Sequence, residues 1–192
     1  YLAADTLKQA SSSPHLEGFK ARGIDVLLMT DPIDAFWMSQ MGAFKEKSFV
    51  SISRDKYDLS ELSDDRTEDQ QEDTDTNAIS ALIKECLGDL VEDVKATSSL
   101  VESPVRLIAG DGGLDFNLER IMKAQNPEFE GGKKILEVNC NHELIKRIPD
   151  LSSKLQKAIS RVMFEQARVL DGEMPSDPQQ FGKDLITISS AL

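Results

Sequence analysis

Several short stretches carry residue types that do chemistry, and each lacks the partner that its chemistry requires. Gly110-Asp111-Gly112-Gly113 is glycine-rich enough to wrap backbone N–H groups round a phosphate, but it has neither GxxxxGK[ST] nor GxGxxG spacing and reads as a flexible turn. His142-Glu143 begins like HExxH, in which two imidazoles one helical turn apart hold zinc. Lys146 stands where the second imidazole must be, so the pair reads as a helix-start cap beside Asn141. His15 follows Pro14 in the first turn of a helix with no Cys or Asp partner beside it, which predicts a structural hydrogen bond. Thr97-Ser98-Ser99 lacks the GxSxG elbow that exposes a nucleophile. Cys86 and Cys140 have no CxxC spacing, which argues against a disulfide scaffold or zinc site and fits a reducing cytoplasm. The residues therefore offer no catalytic set, no metal site and no cofactor site.

What remains is the chemistry of apolar surfaces. Phe36, Trp37 and Met38 are adjacent, and neighbours on a helix point about 100° apart, so they cannot all face one side. One reading places them in the core of a small module, and the other leaves at least one exposed. A second helix carries Leu114, Leu118, Ile121, Met122 and Gln125 as one stripe while Phe116 points elsewhere, and glycines at 110, 112, 113, 131 and 132 would let it lift. Such surfaces suit the binding of varied protein segments, although core packing explains any one of these residues equally well.

The elements that position these residues fall into two halves. Tyr1–Ala4 reads as a strand, Leu7–Ser11 and Pro14–Arg22 as helices with Gly23 just past the second, and Ile24–Met29 as a buried strand. Asp31 and Pro32 start a helix to Met41, and Ser48–Ser53 alternates weakly like a strand. Residues 58–77 then hold nine acidic side chains against Arg66 alone, eight of the twelve net negative charges in the chain, and read as a flexible boundary or a solvated helical face. Beyond it, apolar residues from Ala78 to Leu90 recur at helical spacing. Val91–Ser98 and Val105–Ala109 read as strands paired about the turn at Ser103-Pro104, and Ile135–Val138 as a third. The net charge of -12 disfavours nucleic acid and anionic membrane, no apolar run is long enough to span a bilayer, and protein partners are the expectation.

Two helical patterns close the chain. Leu155, Ile159, Val162, Gln166 and Val169 are spaced four, three, four and three, a narrow seam that Leu151 extends, and the helix ends near Asp171-Gly172. Asp177 and Pro178 open the next, in which Phe181, Leu185, Ile188 and Leu192 repeat the spacing, with Ile186, Met163 and Leu170 also apolar. An αα-hairpin at the end of a small domain cannot hide so much apolar surface. Two copies docked about a two-fold axis would form a four-helix bundle, whereas packing against the domain's own sheet would leave a monomer.

The segment Ser12-Ser13-Pro14-His15-Leu16-Glu17-Gly18-Phe19, with Gly42-Ala43-Phe44, Glu102-Ser103-Pro104, Glu119-Arg120-Ile121-Met122-Lys123-Ala124-Gln125, Asn141-His142-Glu143-Leu144-Ile145 and Asp177-Pro178-Gln179-Gln180-Phe181, resembles the heat-shock protein 90 chaperone family, most closely its bacterial type. The resemblance spans nearly the whole chain and covers the end of that family's middle domain and its C-terminal domain. It implies an α+β fold: a small α/β layered module at 1–57, an acidic linker at 58–77, and a dimerisation domain at 78–192. That last domain would hold a mixed three-stranded sheet with helices and end in the hairpin. It implies a homodimer, client proteins bound by Phe36, Trp37, Leu114, Leu118 and Met122, and ATP and magnesium used by the parent protein upstream of Tyr1, in a chain that starts without Met and looks like a fragment. Eukaryotic cytosolic relatives end in Met-Glu-Glu-Val-Asp, which recruits co-chaperones. This chain ends Ser189-Ser190-Ala191-Leu192, so such partners are not expected. The alternative is an enzyme module that binds an anion or nucleotide at the helix start before Pro14 or Pro32.

Overall fold

The computed structural model describes residues 1–54, 59, 74–110, 113–126, 128–129 and 131–191. The first module is built on two parallel strands, β1 (Leu2–Ala3) and β2 (Leu28–Met29). Parallel neighbours require a crossover, here α1 (Leu7–Ser11), a 3-10 turn at Pro14–Leu16 and α2 (Glu17–Ala21). Thr6 caps α1 by accepting from Gln9 N, and Gly23, at φ +66°, takes the left-handed turn that lets the chain leave α2. Ile24, Val26 and Leu28 pack inward while Leu27 is exposed, so the stretch expected as a buried strand is covered on one face only. Only its last two residues pair, because β1 is that short. Leu2, Ala10, Leu16, Phe19, Ile52 and Leu59 close this core, which places Leu59 in the module rather than in a linker. Most of the expected acidic linker lies outside the described residues.

Helix α3 (Asp34–Met41) follows a reciprocal turn in which Asp31 Oδ1 accepts from Ile33 N and Asp34 Oδ2 accepts from Asp31 N. A hairpin of β3 (Ala43–Phe44) and β4 (Lys47–Ser48) comes next, in place of the strand expected over Ser48–Ser53. Residues 50–53 instead run as irregular chain: Val50 O accepts from the Tyr1 amino group, Ile52 N donates to Tyr1 O, and Ser53 O accepts from Ala109 N.

The second core belongs to α4 (Thr74–Leu87), β5 (Asp93–Ala96), β6 (Val105–Ala109), α5 (Phe116–Gln125), β7 (Lys134–Val138), α6 (Glu143–Arg147), α7 (Ser153–Leu170) and α8 (Pro178–Ser189). Helix α4 begins inside the acidic stretch, with Asp75 in its first turn, where a carboxylate complements the helix dipole. The sheet order is β5-β7-β6, with β7 parallel to β5 and antiparallel to β6. The expected β5–β6 pair about Ser103-Pro104 is therefore not made. Ile135, Leu136 and Val138 of β7 are nearly without exposure, and β7 takes the central place. Leu107 opposite Leu136 and Val105 opposite Val138 face the core with Ile83, Ile145, Ile148 and Met163. On the other face Arg106 Nε donates to Glu137 Oε2 across the ladder at 2.6 Å. No helix among the described residues is long and apolar enough to cross a membrane.

Candidate functional site

In α3 the three adjacent apolar residues separate as helix geometry demands. Met38 is 2% exposed, whereas Trp37 is 48% exposed and Phe36 also faces outward. Helix α5 lies against α3. Its Phe116 turns inward, edge-on to His15 and beneath the Lys134 ammonium, which stands 4.2 Å from the ring centre. With Phe116 buried, the opposite stripe turns outward: Leu114 and Leu118 are half-buried and Met122 is exposed. The five residues singled out in sequence thus lie on two adjoining segments, none of them fully buried. The exposed Phe44 on the hairpin just after α3 was not singled out, because Ala43-Phe44 is too short to show a strand pattern.

The terminal hairpin is locked by polar contacts. Arg161 forks onto Asp184 with both bonds at 2.7 Å, and Gln180 Nε2 donates to the same carboxylate at 2.9 Å. Gly172, at φ +87°, turns the chain, Glu165 accepts from Ser176 N and Ser176 Oγ, and Asp177 caps α8 through Gln180 N. The predicted seam divides. Ile159 is buried in the domain's own core, with Met163, Phe164 and Ala167 beside it, and Ile188 packs against that core half-buried. Leu155, Val162 and Phe181 are half-buried, and Leu192 lies outside the described residues. Val169 (49%), Leu185 (42%) and Ile186 (68%) are left facing solvent.

The junction between the two cores holds the polar contacts that sequence did not foretell. Glu17 at the start of α2 accepts from Val101 N (2.7 Å), Glu102 N (2.9 Å), Ser103 N (3.1 Å) and Ser103 Oγ. Burial pushes this carboxyl up, but the Ser103 hydroxyl and the three amides outweigh it and hold it below the usual range. Asp115 accepts from Ser51 Oγ at 2.7 Å and Ser53 Oγ at 3.0 Å, and Arg120 forks onto Asp5. All span more than sixty residues, and sequence spacing carries no signal for pairs so remote. His15 differs from expectation. Its Nε2 stands 3.4 Å from Asp171 Oδ1, and neither ring nitrogen has a hydrogen-bond partner among the described residues. Nearby, Lys134 Nζ and Arg168 Nε both donate to Glu173. Burial raises that carboxyl, and the Lys134 and Arg168 charges and bonds bring it below its ordinary value.

His142 Nδ1 accepts from Leu144 N at 3.1 Å and so caps α6 itself. Cys86 and Cys140 are free, and no group of three His, Cys, Asp or Glu among the described residues could hold a metal ion. The anion-site alternative is disfavoured at both helix starts. Pro14, His15 and Leu16 are buried, and the Asp31 and Asp34 carboxylates already occupy the positive end of α3.

The family model described as Hsp90 protein matches residues 1–191. Among curated relatives, the "Chaperone protein HtpG" of Roseobacter denitrificans is 36% identical over 96% of this chain and 32% of its own length. That of Mesorhizobium japonicum is 38% identical over 96% of the chain and 30% of its own. One from Rhodopseudomonas palustris is 41% identical over 94% and 30%. The chain thus spans about a third of the length of the relatives it matches.

Proposed function

The chain belongs to the Hsp90 family, and we propose that it works as the self-association and client-binding part of an ATP-driven chaperone clamp in the cytoplasm. The observation that carries this reading is the apolar surface left uncovered on two faces that family membership would put to use. On the hairpin, Val169, Leu185 and Ile186 remain in solvent after α7 has buried its other side in the domain core. A second copy docked there about a two-fold axis would make a four-helix bundle, and a stable interface of this kind buries at least about 1,200 Å². On the other face, Phe36, Trp37, Leu114, Leu118 and Met122 would meet exposed apolar segments of partly folded clients, for which an unbranched Met side chain is adaptable. ATP and magnesium would be handled by other parts of the parent protein, so this chain should not hydrolyse ATP.

Sedimentation tests the first half. The wild type should be dimeric at about ten micromolar, and Leu185→Asp with Ile186→Asp should make it monomeric with its far-UV circular dichroism unchanged. A monomeric wild type, or a dimer indifferent to both substitutions, overturns the bundle. Suppression of the aggregation of a partly unfolded protein tests the second, and it should fall in Trp37→Arg and Leu118→Arg variants that keep the fold and dimer.

A further inference from the structure

Helix α5 lies against α3, and among the described residues polar side-chain contacts tie it to the first module at two places of unequal strength. At its N-terminal end Asp115 is buried and holds Ser51 Oγ and Ser53 Oγ, while Phe116 sits in the core, so this end is a fixed pivot. One turn further on, Arg120 forks onto Asp5 at the solvent edge, with roughly half of the Asp5 side chain exposed. The same guanidinium lies against the turn that ends α7. A Cβ added to Gly172 would stand 2.7 Å from Arg120 Nη1 and 2.8 Å from Gln9 Nε2, and Gln9 Nε2 donates to Leu170 O at 3.3 Å. Three elements therefore meet at one arginine: α1 of the first module, α5, and the head of the terminal hairpin. Beyond Arg120 the helix has Met122, Ala124 and Gln125 exposed.

We infer that α5 is a strap: the Asp5–Arg120 pair latches it to the module junction, and opening of that pair swings its C-terminal half outward about Asp115, uncovering the inner sides of Leu118 and Ile121. The inference rests on the reading of α5 as part of the client-facing surface for its purpose, but not for its mechanics. Because the latch is at the solvent edge it is weakened by salt, whereas the buried pivot is not. The shared contact with Gly172 makes the latch sensitive to the angle between the first module and the hairpin.

Hydrogen exchange on the full chain, without client, tests it. Amides of residues 119–125 should exchange about fivefold faster in Arg120→Gln and in Asp5→Asn, as expected for loss of one exposed bidentate pair. The double variant should be no faster than either single one, and the exchanged pair Asp5→Arg with Arg120→Asp should restore slow exchange. Added salt should speed the wild type and leave the single variants unmoved. Unchanged exchange, additive single effects, or acceleration spread evenly over β6 and β7 would overturn the strap. Faster exchange with unaltered client capture would keep the strap and remove the client reading instead.

Discussion

Replacing Glu17 tests whether the two cores are clasped or merely adjacent. Its carboxylate gathers three backbone amides and the Ser103 hydroxyl, the densest set of contacts at the junction. A hydrogen bond to a charged acceptor contributes about 1.5–3 kcal/mol, but the Val101 and Glu102 amides are exposed and can return to water. The sum therefore reduces to about 2–3 kcal/mol for Glu17→Ala. For Glu17→Gln it is about 1–2 kcal/mol, since the amide keeps one acceptor oxygen. The carboxyl is held below its ordinary value when folded, so the unfolded chain binds more protons. The clasp is then fully present above the ordinary carboxylate pKa and is lost as pH falls through the lower, folded one. Urea titrations followed by circular dichroism should thus show a wild-type advantage over Glu17→Ala that is constant near neutrality and shrinks below about pH 4 toward the smaller part a neutral acceptor retains. An advantage under about 0.5 kcal/mol at neutral pH, within the range of ordinary surface substitutions, refutes the clasp. So does an advantage over Glu17→Ala that stays the same size once the carboxyl is protonated.

Three further outcomes follow from burial and contact. Met38→Ala should cost about 2–4 kcal/mol in chemical denaturation, while Trp37→Arg on the same helix should stay within about 1 kcal/mol; equal costs would mean that α3 does not sit as described. In Gly18→Ala the added Cβ would lie 2.6 Å from Leu59 Cδ1 and 2.7 Å from Ser99 O, so despite better helix propensity the variant should lose about 1–2 kcal/mol and melt lower. Glu173→Ala leaves the Lys134 ammonium buried without its carboxylate and should destabilise by about 3 kcal/mol. Because the Glu173 pKa is lowered on folding, that loss should shrink as a denaturation series is carried to acid pH.

What was legible in the sequence was local. Pro14, Gly23, Asp31, Gly172 and Asp177 stand where turns and caps are made by residues a few positions apart, and the chain turns at each of them. The separation of Met38 from Phe36 and Trp37 followed from the helical period alone. Apart from the strand expected over Ser48–Ser53, where a short hairpin forms instead, the errors were of partnership across distance. Nothing in Val91–Ser98 or Val105–Ala109 says that a strand from residues 134–138 will come between them, since β6 and β7 are equally buried and a local pattern does not name a strand's neighbours. The same holds for Leu59, drawn out of an acidic stretch into a core, and for Asp5–Arg120 and Glu17–Ser103.

Ile159 shows how this limit bears on function. Its four-three spacing marks an apolar face without naming what covers it, and the domain's own sheet and α4 compete with a second copy for that face. Within the chain, Ile159 and Met163 go inward, while Val169, Leu185 and Ile186 remain exposed. Under the proposed dimer, a face divided in this way would do two jobs at once. The inner half anchors the hairpin on its own domain, so the outer half would be presented as a rigid surface, which would lose less conformational entropy on meeting a copy. The Arg161–Asp184 fork fixes α8 against α7 and the Asp177 cap closes its start, and both would serve the same end. If the proposed dimer forms through this hairpin, it should lose affinity when Asp184 is replaced by Asn, even though Asp184 itself is buried.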